Sequence, residues 1–338
     1  MFTTFHAAQA SGTDWRMIGQ KLREQLPQPC RGGLGLLWGT PPLHDAMPSL
    51  TLMLRSVTKV TLWVDMAVDG IMGITPGALG AAALILPYAP PDIVTEGGDS
   101  GSGIVLLQHS GSADDAALQK FVTAQDFTLG ARFGVPGNGG TNSTIRFAPT
   151  IPMISGVTQS CLPIGPTHSV SRARGTHIIT VDDKPAQQIL RQEVGAAMLQ
   201  TPADWRDRIF VGLPERGHDQ NDYRTIAIAG LEPDGSIILT SPIETGRRIL
   251  FTARSNAGAT HDLRHMLRTM LQRSPTPRAA LYFSTSGRQE LFQEDGGEQA
   301  HLRAALDPKI PCIGLQADAI ISGRRSHQDA GLMIFFGA

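Results

Sequence analysis

Hydrophobic residues recur along the first half of the chain at two spacings, every three or four residues and in short unbroken runs. Trp15, Ile18, Leu22 and Leu26 form one apolar face of a helix that Thr13 can cap and Pro27 stops. Gly33 to Trp38 is a short apolar run of the kind a strand buried on both faces requires. Asp45 opens a second helix carrying Leu50, Met53, Leu54 and Val57, and Lys59 to Val64 returns as a strand. Ala83 to Leu86 and Gly103 to Gln108 predict two further strands, and Ser112 with Asp114 and Asp115 opens a short helix. Gly130 to Thr144 reads as a flexible, glycine-rich segment, and a domain boundary is expected in or after it, near residue 150.

The second half is punctuated more sharply. Ser155 to Leu190 turns through Pro163 and Gly165-Pro166 and extends through Thr176 to Val181. It turns again at Asp182-Asp183 and enters a helix near Pro185, a residue tolerated where helical N–H groups have no partner. Ala186, Ile189, Leu190, Val194 and Ala197 make its apolar face. Ile209 to Leu213 is a strand, and Thr225 to Leu231 pairs with Ser236 to Thr240 across the turn Glu232-Pro233-Asp234-Gly235. Arg248 to Ala253, Ala279 to Ser284, Cys312 to Gln316 and Gly331 to Phe336 are further strands. His261 to Leu271 and Glu298 to Leu306 are helices. Strands alternating with helices argue for an α/β (α+β) fold, two lobes with mixed β-sheets covered by helices, and no internal repeat is visible.

Composition narrows the classes. A chain of 338 residues with 41% hydrophobic and 17% charged residues has material for more than one core. A formal net charge of −1 gives no electrostatic case for nucleic acid or an anionic membrane. The N-terminus lacks the pattern of a secretory leader, and the apolar run Gly77 to Ala89 is too short to span a bilayer. Cys30, Cys161 and Cys312 are too widely spaced for a disulfide framework or a zinc pattern. The expectation is a cytoplasmic protein with no metal and no cofactor.

Candidate chemistry is sparse. Gly98-Asp99-Ser100-Gly101 looks like a serine-nucleophile loop without a matching histidine context, and Gly137 to Gly140 lacks the full spacing of a phosphate loop. His261 and His265 share a helix face but lack the glutamate of a zinc hydrolase helix. Cys161, with His168 seven residues on, is a conceivable nucleophile pair or a small buried hydrophobe. Thr285-Ser286-Gly287-Arg288 follows the strand Ala280 to Phe283 and offers hydroxyls, backbone N–H groups and a guanidinium. The group suits a small anion, or is a surface turn.

The string from Val157 to Leu190 resembles the joint of FIST proteins, in which a VSQGCRPIGP-type segment ends the FIST N part and a second segment opens FIST C. Ala279 to Phe292 (AALYFSTSGRQELF), Ile310 to Ile320 and Ser326 to Phe336 resemble later FIST strings in the same order. The resemblance implies a FIST N-like domain over 1–150 and a FIST C-like domain over 151–338, with function as an intracellular sensory module in signal transduction. The chain departs from the pattern at Thr285 and Gln289, which replace a cysteine and a glycine, at Leu162, which replaces an arginine, and at Ala319 to Ser322, where a glutamate is missing. It implies a stand-alone protein that binds a small molecule, an amino acid or another small anion, and acts through a separate signalling partner. The ligand-binding residues expected are Arg288, Thr285, Ser286, Gly287, Gln159, Ser160, Cys161 and His327, in a cleft between the lobes. The competing readings are a hydrolase or transferase using Cys161 or Ser286 as nucleophile, and an adaptor that has lost its ligand.

Overall fold

The computed structural model describes residues 4–30, 33–88, 93–95, 103–110, 121–122, 125, 127–134, 142–214, 223–295, 297–323, 325–327 and 329–337. The chain forms two compact units: residues 1–158 with 264–338, and residues 159–263. The Gly98 to Gly101 and Gly137 to Gly140 loops, and the helix expected from Ser112, lie outside the described residues.

The first unit begins with β1 (His6–Ser11), α1 (Trp15–Gln25), β2 (Leu34–Gly39), α2 (Met47–Thr58), β3 (Leu62–Ala67), β4 (Gly70–Ile71) and β5 (Gly80–Leu86). The N-cap of α1 is Asp14 and not Thr13, its carboxylate accepting from the N–H groups of Arg16 and Met17. α2 starts at Met47, two residues after the expected Asp45, because a 3-10 turn over Pro41–Ala46 comes first. β2 and β3 run parallel, β5 pairs antiparallel to β2, and β1 pairs antiparallel to β5, giving the order β1-β5-β2-β3.

The same arrangement then recurs. β6 (Ile93–Thr95), β7 (Ile104–Ser110), β8 (Phe127–Phe133) and β9 (Asn142–Phe147) are ordered β6-β9-β7-β8, with β7 and β8 parallel and the other pairs antiparallel. It recurs a third time across the second unit. β10 (Met153–Thr158) is ordered with three strands from the end of the chain as β10-β22-β18-β19: β18 (Ala279–Thr285), β19 (Cys312–Ala317) and β22 (Gly331–Phe336), β18 and β19 being parallel. The relation among parts is thus threefold within one unit. Sequence inspection misses it because the repeats share topology and not spacing.

The three sheets turn their inner faces to one another. Leu34, Leu36 and Trp38 of β2, Leu106 of β7, and Leu281 and Phe283 of β18 meet in one apolar core. Alternation along each strand sends the neighbours outward. Leu37, Ala81, Ala83 and Ile85 leave the outer face of the first sheet and pack under Ile18 and Leu22 of α1 and Leu50 and Leu54 of α2. Each repeat also hands a strand to the next. β4, which follows β3, pairs with β19, and β20 (Ala319–Gly323), which follows β19, pairs with β8. At the corresponding place after β8 the N–H of Gly134 donates to Asp69 Oδ2 at 3.0 Å, and Arg132 of β8 meets Asp318 at 2.6 Å.

The expectation that Gly130 onward is a flexible loop is corrected: Gly130 lies inside β8. Its φ is +148°, and a Cβ there would stand 1.8 Å from the carbonyl oxygen of Leu107 on the paired strand. The glycine marks a close backbone approach, which composition alone reads as flexibility.

The second unit is a ring of strands. It holds β11 (Cys161–Arg174), β12 (His177–Val181), β13 (Lys184–Pro185), β14 (Ile209–Pro214), β15 (Tyr223–Leu231), β16 (Ile237–Leu239) and β17 (Arg248–Arg254), with α3 (Ala186–Val194) after β13. Pairing runs β11-β17-β14-β15-β16-β12, and β12 pairs back onto β11, closing the circuit. β11 closes it by serving two neighbours, its first part lying against β17 and its last against β12. The change comes between Ser169 and Val170, and the strand is bent just before it, at the irregularity between Ile164 and His168 where Gly165 has φ +67°. The turns read there from Pro163 and Gly165-Pro166 are therefore a bend within one strand. Ile189 and Leu190 of α3 complete the core with Val170, Val211, Ile226, Ile237 and Phe251.

His168, at that bend, places Nδ1 2.7 Å from Asp182 and Nε2 3.5 Å from Glu193 of α3. The backbone N–H of Ser169, then the His168 ring, hold the Asp182 carboxyl below the usual carboxylate range. A depressed carboxyl adds stability that is present above its unfolded value and lost as pH falls through the folded one. Acid unfolding followed by circular dichroism is expected to show less loss on the acid limb for Asp182→Asn than for the parent. Gly130→Ala is expected to cost at least about 2 kcal/mol in a denaturant melt, since the strand pair must separate to admit the methyl group.

Candidate functional site

β18 ends in Tyr282, Phe283, Ser284 and Thr285, and a 3-10 segment Ser286–Asp295 begins immediately after it. Phe283 points to the core, so Tyr282 and Ser284 leave the opposite face. On that side Glu298, the first residue of α5 (Glu298–Ala305), accepts from the Tyr282 hydroxyl at 2.6 Å and from the Ser284 hydroxyl. Arg288 completes the cluster. Its Nε and Nη2 both lie 2.8 Å from Glu298 Oε1, and Nη1 donates to the carbonyl of Thr158 at 3.1 Å. The guanidinium carbon also stands 5.4 Å from the centre of the Phe292 ring.

Arg288 is 0% exposed and Glu298 6%. Burial, then the charge of Glu298, push Tyr282 well above the ordinary phenol range, so it stays a donor. The anion that Arg288 meets is thus the chain's own Glu298. The pair ties the end of β18 to the start of α5 and, through Thr158, to the end of β10.

The other expected site residues are scattered. Thr285 is buried on the core side, its hydroxyl without a hydrogen-bond partner among the described residues. Ser286 and Gly287 are exposed, and a Cβ on Gly287 would lie 3.0 Å from Asp329. His327 ends β21 (Arg325–His327), paired with Ile320. Gln159, Ser160 and Cys161 belong to the second unit. The Gln159 N–H donates to Asp262 at 2.7 Å, Ser160 is buried with φ +64°, and Cys161 is 2% exposed with its carbonyl bonded by Tyr223. The ring nitrogens of His168 face Asp182 and Glu193, which leaves no sign of a Cys161–His168 nucleophile pair. His261 and His265 are exposed on α4 (Asn256–Arg273), and the described residues hold no cluster suited to a metal ion.

A cleft of about 440 Å³ opens on the other side of α5, in the first unit. Gln299, Leu302, Arg303 and Leu306 line it at helical spacing, one position round from buried Glu298 and His301. Gln9 of β1 and Gln299 both donate to the Met72 carbonyl, at 2.7 and 3.4 Å, which aligns two amides along the cleft wall. Gly73 permits this at φ +85°, for a Cβ would come within 2.9 Å of the Gln299 amide nitrogen. Arg303 and Asp307, both exposed, put opposite charges on the lining, and Asp307 is held by the Lys309 N–H at 2.8 Å. Cys312 contributes a thiol whose pKa burial pushes up to about 12. Sequence reading missed this site because its residues lie far apart in the chain and form no motif. The helical spacing of Gln299, Arg303 and Leu306 was the available signal.

Residues 186–317 match the FIST C domain, a sensory signal-transduction domain. An uncharacterized protein of Mycobacterium bovis, Mb0898c, and one of Mycobacterium tuberculosis, MT0897, are each 30% identical over 138 residues, 39% of this chain. That stretch spans 36% of the length of each of these relatives. No described helix is long and apolar enough to cross a membrane.

Removing one member of a buried ion pair leaves the other charge uncompensated and costs about 3–5 kcal/mol. Arg288→Met and Glu298→Leu are each expected to fall in that range by urea denaturation. The double variant should lose clearly less than the sum, a coupling that an independent surface arginine would not give.

Proposed function

We propose that this chain, which carries a FIST C domain, is a cytoplasmic sensory module that binds a small zwitterionic or anionic ligand, such as an amino acid, in the cleft beside α5. Its bound state would pass to a separate signalling protein. The observation that supports this reading is the cleft lining. Paired glutamine amides lie along one wall, with a cation on α5 at Arg303 and an anion just past the end of that helix at Asp307. A ligand carboxylate pairs with the Arg303 fork, and its ammonium with Asp307 or the amide oxygens. Leu302, Ile310 and Pro311 offer apolar surface to a side chain.

Arg288 enters this reading as a positioning residue. It holds Glu298, and Glu298 starts the helix that carries Gln299 and Arg303 toward the ligand. The family resemblance assigns residues 1–150 to a FIST N-like part and 151–338 to a FIST C-like part. The cleft draws on both parts, since Gln9 and Met72 line it beside Gln299, Arg303 and Cys312.

Titration calorimetry with the common amino acids is expected to find one or more that saturate. Arg303→Ala and Asp307→Ala should each weaken binding about tenfold, near 1.4 kcal/mol. Undiminished affinity in both variants would remove the cleft from the reading. Cys312 is expected to alkylate slowly with iodoacetamide near neutral pH, its thiol being almost wholly protonated, and more slowly still with ligand bound.

A further inference from the structure

The strand ring of the second unit contains a pair of charges that its core does not account for. Arg224, Ile226 and Ile228 occupy alternate positions on β15 and so leave it on one face. Ile226 and Ile228 lie in the apolar core, which places Arg224 on the core-facing side, opposite Leu213 of β14. Gly212 of β14 is paired with Leu250 of β17, so one step along the ladder Leu213 adjoins Ile249. Arg247 stands two residues before Ile249, immediately ahead of β17. Its carbonyl accepts from the Val170 N–H at 2.9 Å, which fixes it to β11. Both arginines therefore sit at one end of the ring, where β14 finishes at Pro214 and β15 begins at Tyr223.

Both are only partly exposed. Neither guanidinium has a hydrogen bond or ion pair with an acid among the described residues. Glu244, in the turn before Arg247, gives that residue its backbone carbonyl at 3.3 Å. Burial, then repulsion from Arg247, hold the Arg224 guanidinium below the usual arginine range. Half-buried like charges with no counter-charge among the described residues raise the energy of the empty protein, and a bound anion relieves both terms.

We infer that Arg224 and Arg247 form a receptor for a phosphate-type oxyanion at the end of the strand ring where β15 and β17 begin. Two planar forks present more N–H donors than a carboxylate can accept, whereas a phosphate offers both the oxygens and the double charge to engage them. The site lies in a different unit from the α5 cleft and does not depend on it.

Calorimetry with inorganic phosphate at low ionic strength, against matched chloride, tests this. One equivalent of phosphate is expected to bind saturably, sulfate comparably and acetate at least tenfold more weakly. Arg224→Gln and Arg247→Gln should each lower phosphate affinity tenfold or more, with Arg224→Lys falling between. Without phosphate, Arg224→Gln should melt no lower than the parent, because repulsion is removed, and phosphate should raise the melting temperature of the parent but not of the double variant. If Arg224→Gln does not fold, Arg247→Gln and Arg224→Lys carry the same comparison. The inference is overturned by an absence of saturable phosphate binding to the parent, by equal affinity in the glutamine variants, or by acetate binding as tightly as phosphate.

Discussion

Glu298 is the point on which the first unit's functional wall depends. One carboxylate gathers a phenol, a hydroxyl and a guanidinium inside the protein, the first two from β18 and the third from the segment that follows it. Such a cluster is costly unless all its members are present, because each group alone would be a buried polar atom without compensation. Its return is geometric: the start of α5 is fixed to the sheet, and the far face of the same helix is held over the cleft. The motif that carries the family resemblance, Gly287-Arg288, acts here through the helix it holds.

How much of this was legible in the sequence follows from the kind of signal each part leaves. Runs such as Gly33 to Trp38 and Ala279 to Ser284 announce buried strands because nothing in them tolerates water, and β2 and β18 lie where expected. The Pro233-Asp234-Gly235 turn was equally plain, since Gly235 takes the left-handed conformation the hairpin requires. β8 and β11 were read as loop and turns because glycine and proline mark close approach and bending as well as chain mobility. The α+β class survives these misreadings because it rests on the alternation of elements and not on any one of them.

The site was harder to read than the fold. Arg288 stands out in sequence for its charge, but its partner Glu298 lies ten residues on without a motif to join them. Gln9, Met72 and Gln299 are joined only by the sheet order that brings β1, β4 and α5 together. Threefold repetition was invisible for a related reason: the lengths of chain between equivalent strands differ, and hydrogen-bond order leaves no period in the residues. Arg224 looks like an ordinary surface charge until the alternation of β15 places it on the same face as Ile226 and Ile228.

The position of residues 159–263 in the chain, after β10 and before β18, β19 and β22 of the same sheet, bears on how the molecule is made. A ribosome delivers β10 long before β18 and β22 exist, so that strand must wait, with its pairing groups unsatisfied, while some hundred intervening residues emerge and close on themselves. The four strands of the first sheet need no such delay, since they come from consecutive chain, whereas the second sheet waits for β20 to pair with β8. Assembly thus has an imposed order, and the sheet that ends beside Glu298 cannot be completed until the last strands of the chain have been made.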